Sequence, residues 1–113
     1  MPQLINYGNE MIRISTKGID YSINNGRTWM SRYRGSSPGI FLDLLAYGTE
    51  LLAITAKGVY YSKNSGRTWM SRYISSSCGT FYSLSDGGND LLANTSKGLY
   101  YSRNSGRTWM RKH

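Results

Sequence analysis

Histidine and cysteine are nearly absent from this chain of 113 residues, in which His113 and Cys78 are the only residues of their kinds. A single cysteine excludes a disulfide within the chain and a multi-cysteine metal site. A single histidine argues against Ser-His-Asp catalysis and against a histidine-rich zinc site. Cys78 has no histidine or second cysteine near it in the sequence, which argues against a catalytic thiol. We therefore expect no metal, no cofactor and no catalytic residues.

Long apolar segments are missing as well. No apolar run reaches the roughly 18 residues of a transmembrane helix, and the first eight residues have neither the charged nor the apolar region of a secretory signal. These two absences predict a cytoplasmic protein that does not bind membranes. Aromatic residues make up 13% of the chain, with ten tyrosines and three tryptophans. This content argues against a disordered tail, because disordered segments are poor in aromatics.

Acidic residues are few, and the charge is therefore strongly one-sided. Six Asp and Glu stand against 14 Lys and Arg, which gives a net charge of +8. A surface with this excess attracts anions. The length leaves room for one domain.

A repeat with a period of 40 residues dominates the sequence. Gly26–Met30 recurs as Gly66–Met70 and as Gly106–Met110, and residues 51–70 and 91–110 are identical at sixteen of twenty positions. A fixed period of this length is typical of stacked structural units. We predict three units in one domain, at residues 1–33, 34–73 and 74–113.

Each unit is predicted to contain four short strands. In the second unit they cover residues 40–47, 51–56, 59–62 and 67–73, and turns containing glycine separate them. No segment shows a convincing helical period of apolar residues. Four strands in a period near 40 are typical of a β-propeller blade. The predicted fold is all-β, with three four-stranded blades per chain.

The segment between the third and fourth strands of each unit carries a motif, Ser-x-Asn-x-Gly-Arg-Thr-Trp, at residues 22–29, 62–69 and 102–109. It resembles the Asp-box, or BNR repeat, of sialidases and related lectin-like propellers, except that asparagine replaces aspartate in all three copies. In that family the boxes lie at the blade periphery, away from the active site. We interpret the motif residues as structural: Ser22, Asn24, Gly26, Trp29, Ser62, Asn64, Gly66, Trp69, Ser102, Asn104, Gly106 and Trp109.

Three blades do not close a ring, because single-ring propellers have about four to eight. Two copies joined head to tail would form a six-bladed ring, so we expect a homodimer. A nine-bladed trimer, or a longer chain of which this sequence is one piece, remains an alternative.

Most of the excess charge is predicted at one end of the blades. In an antiparallel meander, the turns between second and third strands and the linkers between blades share one end, which we call the linker face. The candidate ligand-binding residues there are Lys17, Lys57, Lys97, Arg32, Arg34, Arg72, Tyr33 and Tyr73. Arginine and lysine bind phosphate, and tyrosine stacks on a base. We therefore predict that this face binds a nucleotide or an oligonucleotide. The alternative is that it is a basic surface that only aids solubility.

Three other functions compete with this one. Near-identical blade junctions lined by tyrosine and tryptophan would suit a glycan-binding lectin, and a propeller also suits a protein-interaction platform. A sialidase-like glycosidase is the least favoured function, since such enzymes need paired carboxylates. Asp43 and Asp86 are the only carboxylates on inner strands, and neither recurs in the other units. We expect them to face a water-filled central channel and the protein not to be an enzyme.

Overall fold

The computed structural model describes residues 4–15, 18–34, 39–74 and 78–112, which form twelve strands in three antiparallel sheets. The first sheet contains β1 (Leu4–Tyr7), β2 (Glu10–Ser15), β3 (Gly18–Ser22) and β4 (Met30–Tyr33). The second contains β5 (Phe41–Tyr47), β6 (Glu50–Thr55), β7 (Gly58–Ser62) and β8 (Met70–Tyr73). The third contains β9 (Phe81–Asp86), β10 (Leu91–Thr95), β11 (Gly98–Ser102) and β12 (Met110–Arg111). Each strand pairs with its neighbour in sequence, which confirms three four-stranded blades. The described residues contain no helix that could cross a membrane.

The segments Ser22–Trp29, Ser62–Trp69 and Ser102–Trp109, which we call the box turns, close the outer hairpin of each blade in the same way. In the second, the Ser62 hydroxyl accepts the Gly66 N–H at 2.9 Å, and the Asn64 side-chain oxygen accepts the Thr68 N–H at 3.0 Å. The Asn64 amide nitrogen donates to the Thr68 hydroxyl at 2.8 Å. Asparagine therefore satisfies the turn as acceptor and as donor, which accounts for its presence in every copy.

The apolar core lies between neighbouring blades. One cluster joins the first and second blades and includes Ile12, Ile19, Leu51 and Trp69. The other joins the second and third blades and includes Leu52, Val59, Leu91, Ala93 and Trp109. Both tryptophans are buried, because each box turn packs against the preceding blade. Trp29 is only partly buried, and the guanidinium of Arg13 lies 4.2 Å from its ring centroid.

Asp43 does not face a central channel, and the structure corrects that expectation. Its side chain is completely buried, and its two oxygens accept the N–H of Leu44 at 3.0 Å and of Leu84 at 2.8 Å. Burial raises the pKa of the Asp43 carboxyl, against the opposing effect of these two hydrogen bonds. Asp86 is exposed, and its carboxylate accepts the Gly88 N–H at 2.9 Å. Asp43 therefore ties inner strand β5 to inner strand β9, a connection between blades that the sequence did not reveal.

Asp43→Ala is expected to lower the free energy of unfolding by about 2–4 kcal/mol. It leaves two buried N–H groups without acceptors, each costing about 1–3 kcal/mol before the structure relaxes. Urea unfolding followed by tryptophan fluorescence measures the change. Asp86→Ala is the matched control, since it also removes an inner-strand carboxylate, and it should change stability by less than about 1 kcal/mol. Equal effects in the two variants would contradict a structural tie at Asp43.

Candidate ligand-binding site

The linker face is built from the β6–β7 and β10–β11 turns together with the segments that lead into β5 and β9. The Ala56 N–H donates to the Ile40 carbonyl at 3.0 Å, and the Ser96 N–H donates to the Thr80 carbonyl at 2.9 Å. Each turn is thereby held against the chain entering the same blade. The turns and the linkers of these two blades lie together at one end, as the meander predicts.

A pocket of about 240 Å³ opens on this face at the junction of the second and third blades. Three hydroxyl side chains line it, from Thr55, Thr80 and Ser96, and Lys57 adds a cationic group. The remaining lining residues are Ala56, Gly58, Ile74, Gly79 and Phe81. Exposed Ile74 and the edge of buried Phe81 form the apolar side, while the hydroxyls and the lysine make the rest polar. Such a mixture suits a ligand that has an anionic group and an apolar or planar part.

The two lysines of the described turns flank this pocket. The stem of Lys57 lies over Gly39, where an added Cβ would be 3.4 Å from the lysine Cγ. The stem of Lys97 lies over Gly79, with the corresponding distance 3.1 Å, and Gly79 lines the pocket. Both lysines are exposed residues at this face. Lys17, the third lysine of the predicted set, lies outside the described residues.

Arg32 and Arg72 do not belong to the linker face, and the structure corrects their placement. Each lies on the fourth strand of its blade and extends towards the opposite end, where the box turns are. Arg32 forms two hydrogen bonds to the Glu10 carboxylate, at 2.6 and 2.8 Å, and one to the Ser65 carbonyl at 3.1 Å. Its guanidinium carbon also lies 3.9 Å from the Tyr21 ring centroid. A partly buried carboxylate on the same sheet holds this arginine, whose own side chain is only 4% exposed, so Arg32 offers little to a ligand.

Arg72 repeats this arrangement 40 residues later. It contacts both Glu50 oxygens and donates to the Ser105 carbonyl at 3.1 Å, and only 3% of its side chain is exposed. The guanidinium lowers the pKa of the Glu50 carboxyl, chiefly through the hydrogen bond and secondarily through its charge. Because the Ser105 carbonyl belongs to the next blade, this cluster of Arg72, Glu50 and Ser105 joins two blades. We call it the arginine clamp.

The remaining candidates also have structural partners. Arg34 is exposed on the first blade, and its guanidinium lies 3.4 Å from the Asp20 carboxylate. The ring of Tyr33 packs edge-on against Phe41, with centroids 6.1 Å apart, and Tyr73 packs in the same way against Phe81 at 6.0 Å. These rings belong to the margins of the two apolar clusters. They are therefore not stacking platforms for a base.

Sequence reasoning missed the pocket hydroxyls and a second pocket. Thr55 and Ser96 lie within two residues of the Lys-Gly turns, and Thr80 lies in the linker. A serine or threonine does not by itself indicate a binding site in a sequence. The second pocket, of about 290 Å³, opens at the box-turn end of the same junction and is lined by Tyr47, Gly48, Thr49, Glu50, Ser105 and Arg107. Among the described residues, no three side chains of His, Cys, Asp and Glu converge as metal ligands would.

Comparison with known proteins identifies the fold and not a family. No known protein family and no curated protein matches the sequence. Solved structures do match: YCF48 bound to D1 peptide, with a TM-score of 0.70 and 16% identity, and an ancestral GH74 enzyme, with a TM-score of 0.72 and 16% identity. Both are β-propellers. The computationally designed Ika4 protein also matches, with a TM-score of 0.60 and 9% identity.

The three matches cover most of this chain but less of the matched chains. They cover 90%, 95% and 88% of this chain, in the order given above. The matched part is 36% of the YCF48 chain, 17% of the GH74 enzyme and 62% of Ika4. At these identities the likeness establishes that the three sheets are propeller blades.

Proposed function

We propose that this protein is a non-enzymatic propeller scaffold that binds a phosphate-bearing ligand at the linker face. One observation carries the proposal: Lys57 and Lys97, from adjacent blades, flank a pocket that also contains three hydroxyl side chains. Two ammonium groups and neutral donors around one cavity suit a group with several anionic oxygens. Ile74, which is 60% exposed, supplies an apolar surface of the pocket for the base or sugar of a nucleotide.

Binding of a polyphosphate is expected to depend on these two lysines. The variant Lys57→Glu/Lys97→Glu should bind tripolyphosphate and a twelve-residue oligothymidylate at least tenfold more weakly, measured by calorimetry at low salt. Wild-type affinity should fall as salt rises, because several phosphates release counterions when they are bound. Unchanged affinity in the variant would overturn the linker-face site.

The matched control is Arg27→Glu/Lys63→Glu. It makes the same change of net charge on two exposed residues of the box turns, at the opposite end of the blades. If the site is local, the control binds like wild type. A loss equal to that of the lysine variant would show that only the overall charge of +8 attracts the probe, which is the solubility alternative stated above.

We infer binding rather than hydrolysis from the inner-strand carboxylates. Asp43 is buried and accepts two backbone N–H groups, and Asp86 accepts a turn N–H. Both Asp43 oxygens are engaged by backbone N–H groups, which argues against Asp43 as one of the two carboxylates that glycoside hydrolysis requires. We also propose that the box turns are related to the Asp-box, and the support is their hydrogen-bond pattern. A cytoplasmic location is a further proposal.

A protein-interaction platform is the second candidate. The structure of YCF48, which has the same fold, contains a bound peptide. The box-turn pocket with Tyr47, Glu50 and Arg107 adds a recognition surface at the end opposite the lysines. The same pocket is where a lectin would hold a glycan. Binding of a peptide or glycan library that survives Lys57→Glu/Lys97→Glu would favour these functions over phosphate capture.

We also propose that two copies complete a six-bladed ring. The support is the arrangement of the core: each junction buries one face of two successive blades, and the outer faces of the first and third blades have no such neighbour among the described residues. Light scattering should give twice the chain mass of 12.8 kDa.

A further inference from the structure

The two outer faces differ from the inner faces in a consistent way. We call the side of a blade that packs on the preceding blade its leading face, and the other side its trailing face. The leading faces of the second and third blades carry Leu44, Leu51, Ala53, Tyr60 and Trp69, and their counterparts Leu84, Leu91, Ala93, Tyr100 and Trp109. The trailing faces of the first and second blades carry Ile5, Ile12, Ile14 and Ile19, and their counterparts Leu45, Leu52, Ile54 and Val59.

The leading face of the first blade replaces two of these core positions with charged residues. Arg13 stands where the other blades have Ala53 and Ala93, and Asp20 stands where they have Tyr60 and Tyr100. Two nitrogens of Arg13 bond to one Asp20 oxygen, at 3.2 and 3.3 Å. The remaining positions, Leu4, Met11 and Trp29, stay apolar.

The trailing face of the third blade has lost apolar side chains at matching places. Asn94 replaces Ile14 and Ile54, and Ser85 replaces Ile5 and Leu45. Residues 51–70 and 91–110 differ at only four positions, and two of the four, at 94 and 99, lie on this face. The Asn94 amide nitrogen donates to the Ser83 hydroxyl at 3.1 Å, so the amide oxygen is the acceptor left to a partner.

Both outer faces change at positions whose counterparts belong to one buried cluster at an inner junction. Ile54 of the second blade and Ala93 of the third are members of that cluster. When a second copy continues the repeat, Asn94 of one copy and Arg13 of the other enter the corresponding cluster, where the amide oxygen is an acceptor for the guanidinium. The same continuation also sets Leu99 against Gly26, since Val59 lies 3.7 Å from the Cβ position of Gly106. A polar pair therefore lies within an apolar margin of Leu92, Leu99, Met11 and Trp29.

We call the contact between the trailing face of one copy and the leading face of another the seam. The third blade has the residues for an equivalent of the arginine clamp at this seam. Arg32 and Arg72 each donate to the carbonyl of the residue that precedes the glycine in the next box turn. The equivalent cation on the third blade is Lys112, and the equivalent carbonyl is that of Asn25. Asn25 has a φ of 63°, almost the same as Ser65 at 64°, so the first box turn presents its carbonyl as the others do.

We infer that the partner on these faces is a second copy of this chain, joined head to tail with the leading face of one copy on the trailing face of the other. Asn94 accepts from Arg13, and Lys112 contacts the Asn25 carbonyl. The inference rests on the ring completion proposed above and names the contacts that form it. Burying a polar pair at one level of an apolar seam disfavours shifted or face-reversed pairings, because these would place the Arg13 guanidinium, which bonds to Asp20 through two of its nitrogens, against apolar side chains and not against the Asn94 acceptor.

Two variants, each with one outer face disrupted by a charge, test whether the copies join head to tail. Met11→Asp places a charge on the leading face, and Leu99→Asp places one on the trailing face. Each variant alone should have the mass of one chain by light scattering, because both seams of a homodimer are damaged. Mixed in equal amounts, they should restore the mass of two chains, because one seam then joins an intact leading face to an intact trailing face. Ile23→Asp, on an exposed box-turn residue, is the control and should stay dimeric.

The outcomes separate the seam from the ring itself. A wild-type protein with the mass of one chain would overturn ring completion and the seam together. A wild-type dimer whose two variants do not complement each other would overturn only the head-to-tail seam, and a dimer that survives either single substitution would indicate pairing of like faces. Should the aspartate variants not fold, judged by circular dichroism, Arg13→Glu and Asn94→Arg take their places, and the mixture again should restore the dimer.

Discussion

Arg72→Ala is expected to lower the free energy of unfolding by about 3–5 kcal/mol, the usual cost of removing one partner from a buried ion pair. The Arg72 and Glu50 side chains are only 3% and 12% exposed, so the carboxylate would lose its counter-charge with little water to replace it. The Ser105 carbonyl of the next blade and the stacking on Tyr61 at 3.9 Å would be lost as well. Chemical denaturation measures the change.

Arg103→Ala is the matched control for this clamp. Arg103 also faces a carboxylate, that of Asp90 at 3.5 Å, but its side chain is 72% exposed. An exposed pair contributes about 0–1 kcal/mol, so this variant should behave almost like wild type. If Arg72→Ala costs no more than Arg103→Ala, the arginine clamp does not hold the blades together.

The ion pair of the arginine clamp and the equivalent pair of Arg32 and Glu10 also predict how stability depends on pH. The pKa of Glu50 is lowered in the folded protein by its bonds to Arg72, and that of Glu10 by its bonds to Arg32. The stability that these ionised carboxylates contribute is therefore present above the ordinary glutamate pKa of about 4.3 and is lost as pH falls through the lower, folded value. Unfolding free energy should decrease below about pH 4, and Glu10→Gln/Glu50→Gln should flatten this decrease. An unchanged acid limb in that variant would contradict the assignment.

Gly58→Ala is expected to destabilise the protein by about 4 kcal/mol or more, which is the range of exceptional single substitutions. A Cβ at this position would lie 2.3 Å from the Tyr73 carbonyl oxygen and 3.0 Å from the Ile74 Cα, and both are backbone atoms. The φ of 139° is also a conformation that residues with a Cβ rarely adopt. Strands β7 and β8 would have to separate, and the linker face would lose its turn.

Gly98→Ala isolates the steric part of this effect. Gly98 is the same position of the third blade and has a φ of 124°, but a Cβ there would meet only the Arg111 side chain, at 3.7 Å. Backbone strain alone should cost about 1–3 kcal/mol. Thermal unfolding of both variants measures the difference, and equal shifts in Tm would mean that the carbonyl contact at Gly58 is relieved without cost.

The repeat and the strands could be predicted from the sequence because they depend on local patterns. Period, glycine turns and alternating apolar residues specify a four-stranded blade, and the structure has three. The structural interpretation of each box-turn asparagine depends on local sequence, since the partners, such as Ser62 and Thr68 for Asn64, lie within four residues.

Charge placement was predicted less well. Lys57 and Lys97 lie in turns whose position follows from connectivity, and they are on the expected face. Arg32 and Arg72 precede the linkers, and their position in the sequence alone therefore predicts them on that face. Their actual direction depends on Glu10 and Glu50, which are 22 residues away, and on a carbonyl of the next blade.

The sequence by itself determined the all-β blade, its repetition and the excess of positive charge, because each is a property of neighbouring residues or of composition. Only the tertiary structure decided which cations are buried in ion pairs, which carboxylate joins two inner strands and where a pocket opens. These depend on contacts within and between blades, where residues about 20 to 40 positions apart meet. The direction of a buried cationic side chain is set by the carboxylate and carbonyl groups within its reach.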